Sequence, residues 1–184
     1  MKTIVLHGSP RKNGNSDTLA ENFLQGMNEG VLKETKHFYT NEMSIRPCQG
    51  CLSCANADEK SCIIKDDMQE IYSTFIEADV IVFATPMYWG YITAQLKTVI
   101  DRMEALVMWD HFKNKTFVVL ITYRHHCESS VAFFKRICTF FDVRLHVITC
   151  RTFDIDTGKD IPISRCKTKI EEAFELGKSL GSTY

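Results

Sequence analysis

Two strand-sized apolar runs, 80–84 and 116–122, constrain the fold of this chain more than any other feature of its sequence. Neither run alternates polar with apolar residues, as a strand exposed on one face would. Runs of this kind are typical of parallel strands that helices cover on both faces. Amphipathic segments lie between such runs, for example Met68, Ile71, Tyr72 and Phe75 with helical spacing. The pattern predicts an α/β chain.

Five strands are expected to alternate with five helices along the whole chain. The expected strands are 3–7, 35–40, 80–84, 116–122 and 144–149, and the expected helices are 16–29, 68–76, 96–106, 131–141 and 169–180. Asp66 and Asp67 are expected to cap the second helix, and Pro86 to end the third strand. The alternation predicts a doubly wound, five-stranded parallel sheet in three α/β/α layers, with 1–184 as one domain. Ligands bind such sheets outside the carboxyl ends of the strands, so the loops after strands 1, 3 and 4 are expected to carry the chemistry.

Charge and hydropathy limit the partners and the compartment to be expected. The formal net charge of −1 gives no electrostatic basis for binding nucleic acid or a membrane surface. The apolar runs are too short to span a bilayer. The apolar stretch 3–6 is also too short for the core of a signal peptide, so a cytoplasmic protein is expected.

The loop after the first strand has the composition of an anion-binding loop. Gly8-Ser9-Pro10-Arg11-Lys12-Asn13-Gly14-Asn15-Ser16 leads into a helix whose expected N-cap is Ser16. The free N–H groups and positive dipole end of a helix attract a phosphate dianion, and Arg11 and Lys12 add positive charge. The glycine spacing fits neither a dinucleotide fingerprint nor a P-loop. The loop is interpreted as a site for one terminal phosphate, and the alternative is a turn-rich connection with solvated basic residues.

The loop after the third strand, Thr85-Pro86-Met87-Tyr88-Trp89-Gly90-Tyr91, places three aromatic residues at the expected ligand-binding edge. Such an aromatic cluster is unfavourable unless something covers it. Pro86 and Gly90 allow main-chain amides to approach a flat ring. The loop is interpreted as a platform for an isoalloxazine, and the alternative is packing on a neighbouring subunit or on the next helix.

Together, residues 8–16 and 85–90, followed by Gln95-Leu96-Lys97 and Asp101-Arg102, resemble the NAD(P)H-dependent FMN reductase family and its iron–sulfur flavoprotein branch. The resemblance covers about residues 1–125. It implies a flavodoxin-like fold, FMN as the cofactor, and a homodimer or homotetramer. It also implies that NAD(P)H, or a redox protein such as ferredoxin, is the transient electron donor.

The resemblance also implies roles for particular residues. Phosphate contacts are expected from Ser9, Arg11, Asn13, Asn15 and Ser16. Ring contacts are expected from Pro86, Met87, Tyr88, Trp89 and Gly90. Tyr123, with the Arg124-His125-His126 segment after it, is expected to reach the polar edge of the ring. Asp101 and Arg102 are interpreted as a structural or interface pair.

Four of the eight cysteines, Cys48, Cys51, Cys54 and Cys62, are clustered in a loop at about 46–65. Four thiolates can hold a tetrahedral zinc ion or a cubane cluster, and the spacing is similar to that of the [4Fe–4S] motif of iron–sulfur flavoproteins. A [4Fe–4S] cluster, zinc, a disulfide and no metal all remain open. Without metal the loop is expected to be floppy. Cys138 lies in an apolar stretch and is expected to be a core residue.

Two functions follow from these features. The first is an oxidoreductase that passes electrons from NAD(P)H through FMN, either to a cluster or to a small acceptor. The second is a non-enzymatic, flavodoxin-like electron carrier. Steady-state oxidation of NAD(P)H in the presence of FMN separates the two.

Overall fold

Each of the five expected strands is present in the computed structural model, which describes residues 1–56 and 61–183. The strands are β1 (Lys2–His7), β2 (Glu34–Tyr39), β3 (Val80–Tyr88), β4 (Tyr91–Ile92), β5 (Thr116–Tyr123), β6 (Arg144–Arg151), β7 (Phe153–Asp154) and β8 (Lys159–Asp160). The helices are α1 (Asn15–Met27), α2 (Met68–Glu77), α3 (Ala94–Arg102), α4 (Glu104–Val107), α5 (Glu128–Phe140) and α6 (Lys167–Thr183). Residues 57–60 of the predicted cysteine-rich loop, and Tyr184, lie outside the described residues.

The central sheet has the strand order β2-β1-β3-β5-β6, with all five strands parallel. The strand order reverses between β1 and β3, so a crevice opens there at the carboxyl ends of the strands. This order is that of the flavodoxin-like folds, and the predicted fold class is confirmed. No helix of the described residues has the length and apolarity that a membrane crossing requires.

Both faces of the sheet are covered, which explains the continuous apolar runs. Alternate residues of β3 point to opposite faces: Ile81 and Phe83 join the core shared with α2, α3 and α5, whereas Val80 and Val82 join the core shared with α1 and α6. The side chains at the centre of each core are fully buried. Cys138 is buried in the first core, as predicted, and burial raises the pKa of its thiol to about 12.

Three details of the fold differ from the sequence-based expectations. Strand β3 does not end at Pro86, which pairs in register with Thr122 of β5. Strand β1 ends opposite Ala84, so the missing N–H of Pro86 lies beyond the end of that neighbouring strand. The expected helix 96–106 is divided at Met103 into α3 and α4. Strands β7 and β8 form a hairpin that was not expected.

Candidate functional site

A cleft of about 510 Å³ lies at the carboxyl ends of β1, β3 and β5, where the strand order reverses. It brings together residues that are far apart in the sequence. Of the predicted cofactor-binding residues, nine line it: Ser9, Arg11, Asn15, Ser16, Pro86, Met87, Tyr88, Trp89 and Tyr123. The predicted residues Asn13 and Gly90 are not among its lining residues.

The loop on one side of the cleft leads into an uncapped helix. Helix α1 begins at Asn15, and Gly14 is its N-cap with extended backbone, so the predicted capping role of Ser16 is wrong. Within the described residues, no side-chain hydrogen bond caps this N-terminus. A Cβ on Gly14 would lie 3.2 Å from the carbonyl oxygen of Arg11, so glycine allows the loop to fold closely on itself. The first N–H groups of α1 therefore stay available to an acceptor beside the cleft.

Two side chains of this loop stabilise its shape. The Ser9 hydroxyl donates to the Arg11 carbonyl oxygen at 2.9 Å and accepts from the Arg11 N–H at 3.1 Å. The Asn15 side-chain oxygen accepts from the Ile163 N–H at 3.2 Å, which fixes the segment before α6 against the start of α1. Asn13 has a φ of +56°, a conformation that asparagine tolerates in turns. Arg11 is exposed at the cleft.

The aromatic side of the cleft is the turn of a hairpin. Met87 and Tyr88 pair with β4, which leaves Trp89 and Gly90 as a two-residue turn. Their φ values of +48° and +80° are those of a type I′ turn, in which the second position favours glycine. A tryptophan at the first position is unusual, and the turn leaves its side chain fully exposed, at 105%. The Gly90 carbonyl oxygen accepts from the Ser129 hydroxyl at 2.9 Å, which ties the turn to α5.

The third side of the cleft includes residues that were not predicted from the sequence, Thr152 and Asp160 among them. They line it together with Tyr123 and with Arg124, which was expected near the polar edge of the ring. Asp160 comes from the β7–β8 hairpin, and its carboxylate lies 2.7 Å from the Arg124 guanidinium. The turn-forming residues 154–158, Asp-Ile-Asp-Thr-Gly, were the signal that could have predicted this hairpin. His125 and His126 are not among the lining residues.

A buried hydrogen-bonded chain beneath the loop was also missed. His7 Nδ1 lies 2.9 Å from a carboxylate oxygen of Asp17, and His7 Nε2 lies 3.0 Å from His37 Nδ1. The Tyr39 ring stacks on His7 with 4.3 Å between centroids. Burial and the neighbouring His7 lower the pKa of His37. The chain connects the first turn of α1 to β1 and β2, and so supports the loop from below.

The four predicted metal-ligating cysteines line a second cavity, of about 230 Å³. Cys48 and Cys51 are exposed, and Cys54 and Cys62 are half-buried. Within 1–56 and 61–183, no three His, Cys, Asp or Glu side chains are arranged to hold a metal ion. The Trp109 indole N–H donates to the Cys54 carbonyl oxygen at 3.0 Å and so contacts this loop.

Asp101 and Arg102 do not pair with each other. Asp101 pairs with Lys97 one turn earlier on α3, whereas Arg102 is 2% exposed and its guanidinium lies 2.9 Å from the Asp66 carboxylate. Burial by itself raises the pKa of Asp66, but the hydrogen bonds from Arg102 and from two backbone N–H groups outweigh it and lower the pKa. Asp66 also accepts from the Met68 N–H, so its carboxylate caps α2 as expected, whereas Asp67, at the N-cap position, makes no side-chain cap hydrogen bond and its expected capping role is wrong.

A doubly wound sheet with an uncapped helix N-terminus and an aromatic turn at its switch point defines a flavodoxin-like α/β protein. Residues 1–160 match the family described as NADPH-dependent FMN reductase, and the chain belongs to this family. That family is one of flavin-dependent oxidoreductases.

Individual relatives agree with this assignment, and solved structures share the fold. An iron–sulfur flavoprotein of Archaeoglobus fulgidus is 36% identical over 140 residues, which cover 75% of this chain and 70% of that protein. An iron–sulfur flavoprotein of Methanocaldococcus jannaschii is 37% identical over 116 residues, which cover 62% of this chain and 58% of that protein. Most of the curated relatives are matched over only about half of their length. The fold is similar to that of NAD(P)H:quinone oxidoreductase from Methanothermobacter marburgensis, with a TM-score of 0.67 at 21% identity, covering 98% of this chain and 96% of that chain.

Proposed function

We propose that this chain binds FMN in the cleft at the carboxyl ends of β1, β3 and β5, and that it oxidises NAD(P)H through this flavin. One observation carries the proposal: an uncapped helix N-terminus and an exposed aromatic turn line the same cleft. The first suits a phosphate and the second suits a flat ring. FMN has both groups at opposite ends of one molecule.

The loop 8–16 fits the phosphate end of FMN. Helix α1 offers its first N–H groups, Arg11 offers an exposed guanidinium, and Ser16 offers a hydroxyl at the lining of the cleft. The Ser9 side chain is engaged within the loop, so its expected contribution is to the shape of the loop. Asn13 would contribute in the same way, because it adopts a left-handed turn conformation and does not line the cleft.

The aromatic turn and the end of β5 fit the ring end. Pro86, Met87 and Tyr88 line the cleft from β3, Trp89 lines it from the turn that follows, and Tyr123 lines it from β5. Gly90 supports the platform through its turn conformation. Bound FMN would supply the chemistry, as a group that can accept a hydride from NAD(P)H and release electrons singly. The residues of the cleft then need only to bind and orient the cofactor, and no acid or base side chain is required.

We also propose that Cys48, Cys51, Cys54 and Cys62 hold a [4Fe–4S] cluster, which would take electrons from the flavin one at a time. Four cysteine side chains around one cavity fit a group that is ligated by four thiolates. The names of the relatives, iron–sulfur flavoproteins, support the same choice. Homo-oligomerisation, a cytoplasmic location and ferredoxin as a donor stay predictions from the sequence, as does the extent of the single domain.

The flavin function is tested by steady-state oxidation of NADH and NADPH by the FMN-loaded protein. We expect turnover in the presence of a small acceptor such as a quinone. A protein that holds FMN and yet leaves both nicotinamides unoxidised would instead be an electron carrier, the alternative function.

The cluster is tested by iron analysis of protein that is purified and reconstituted without oxygen. We expect about four irons per chain in the wild type, as a Cys-ligated [4Fe–4S] centre requires. Cys54→Ala should lose this iron, whereas Cys138→Ala, in the core, should keep it. Wild-type protein with FMN but no iron would contradict the cluster and leave the flavin function standing.

A further inference from the structure

Arg102 joins the two ends of the cysteine loop. Its Nη1 donates to the Arg46 carbonyl oxygen at 2.8 Å, on the chain before Cys48. Its Nη2 donates to the Ile64 carbonyl oxygen at 3.2 Å, on the chain after Cys62. Both terminal nitrogens also donate to the Asp66 carboxylate, at 2.9 and 3.2 Å. One buried guanidinium thus fixes the loop at both ends, without any metal.

The same side chain lines the cysteine cavity, and it retains one unused donor. Its Nε–H is buried and has no acceptor among the residues that the structure describes. A buried donor without an acceptor is costly, so such a group indicates a missing partner. The Cys62 thiol interacts electrostatically with both the Arg102 guanidinium and the Tyr72 hydroxyl. A free donor on a guanidinium whose charge is shared with Asp66 is therefore present where thiolates would need compensation.

We propose that Arg102 is a positioning residue of the cysteine cavity, which fixes both ends of the loop and whose Nε–H donates to a sulfur of the bound cluster. The proposal rests on the [4Fe–4S] cluster of the proposed function. Reduction of the cluster by the NAD(P)H-reduced flavin adds one electron and one negative charge, and it makes or breaks no bond. A buried positive charge and a hydrogen bond to sulfur stabilise the more negative state, so Arg102 raises the reduction potential.

The test is a redox titration of the reconstituted holoprotein, followed by electron paramagnetic resonance of the cluster, in the wild type and three variants. Arg102→Gln should shift the midpoint potential to a more negative value. Arg102→Lys keeps the charge but loses the Nε–H, and should shift it less in the same direction. Arg46→Gln is the matched control, since its exposed side chain is also near Asp66, and it should leave the potential unchanged. FMN content, which depends on the other cleft, reports whether each variant is folded.

A second measurement needs no cluster. In iron-free, FMN-loaded protein, protease cleavage within 46–65 should be faster in Arg102→Gln than in the wild type or in Arg46→Gln. Loss of iron from Arg102→Gln at unchanged FMN content would also support the proposal. In that case the midpoint potential of the cluster is measured on Arg102→Lys alone and compared with that of the wild type.

Equal potentials in the wild type and both Arg102 variants would overturn the proposal while leaving the proposed function intact. Equal cleavage rates in all of the proteins would overturn the role of Arg102 in fixing the loop. Wild-type protein that binds FMN but no iron would contradict both the cluster and this proposal. NAD(P)H oxidation by that same protein would show that the flavin function does not depend on either.

Discussion

Trp89 offers the most direct perturbation of the proposed ring site, because the free protein leaves it fully exposed. Stacking on a flavin would cover about 100 Å² of the indole, which is roughly half of the surface area that a fully buried aromatic side chain loses to the protein interior. At about 25 cal/mol per Å², this contact contributes about 2.5 kcal/mol to binding. Leucine keeps part of the apolar contact, so Trp89→Leu should weaken FMN binding by about 1.4 kcal/mol, or about tenfold in Kd.

A second substitution at the same position separates the ring contact from the turn. Asparagine is favoured at the first position of a type I′ turn, where Trp89 now has a φ of +48°. Trp89→Asn should therefore raise the free energy of unfolding of the FMN-free protein while it weakens FMN binding. Opposite effects in the two assays would identify Trp89 as a binding residue that is retained in an unfavourable backbone conformation.

The assay is a fluorescence titration with FMN, and Trp109 is the internal control. Trp109 contacts the cysteine loop and does not line the cleft. Quenching by FMN should persist in Trp109→Phe and should mostly disappear in Trp89→Leu. Full quenching in Trp89→Leu, together with an unchanged Kd, would refute the reasoning.

Three further predictions follow from single contacts. Arg11→Ala should weaken FMN binding by about 1.5–3 kcal/mol, the value of a hydrogen bond to a charged group, and should leave the binding of riboflavin, which has no phosphate, unchanged in calorimetric titrations. Asp66→Asn should lower the free energy of unfolding in urea at pH 7 by about 3 kcal/mol, since it breaks a buried ion pair. The folded-state pKa of Asp66 is lowered, so its stabilisation is present above the ordinary carboxyl pKa of about 4 and is lost as the pH falls through the lowered value. Asp66→Asn should lack this loss of stability at acid pH. An equally steep loss in the variant would contradict the ion pair between Asp66 and Arg102. Gly177→Ala should cost about 1–3 kcal/mol in thermal unfolding despite its better helix propensity, because the new Cβ would lie 1.9 Å from the Phe23 carbonyl oxygen; an unchanged Tm would show that α1 and α6 can separate without penalty.

The parallel sheet could be predicted from the sequence because its signal is local. The run at 80–84 has a neighbour on both sides and helices on both faces, so each position must be apolar. Pro86 was misjudged because a proline ends a strand only where its missing N–H is needed. Here β1 has already ended, because its last residue, His7, pairs with Ala84, 77 residues away in the sequence. Rules that consider only neighbouring residues in the sequence cannot detect such strand pairings.

The candidate site could be predicted only in part for the same reason. The loops 8–16 and 85–91 can be recognised from their composition, and the structure places most of their predicted residues in one cleft. Asp160 reaches that cleft through a hairpin whose strands are two residues long, too short for any periodicity. The partner of Arg102 is Asp66, 36 residues away, whereas the sequence favoured its neighbour Asp101. Charged side chains pair with groups that lie close to them in the folded structure, and adjacency in the sequence therefore predicted the wrong partner for Arg102.

The central claim is that FMN in this cleft is reduced by NAD(P)H. The most direct measurement mixes NADPH, without oxygen, with FMN-loaded protein that has been freed of unbound flavin, and follows the visible absorbance of the flavin. We expect the bound flavin to bleach in the wild type, and Arg11→Ala and Trp89→Leu to retain less flavin that can bleach. Flavin that stays bound and oxidised with excess NADPH and NADH would show that NAD(P)H does not reduce FMN in this cleft.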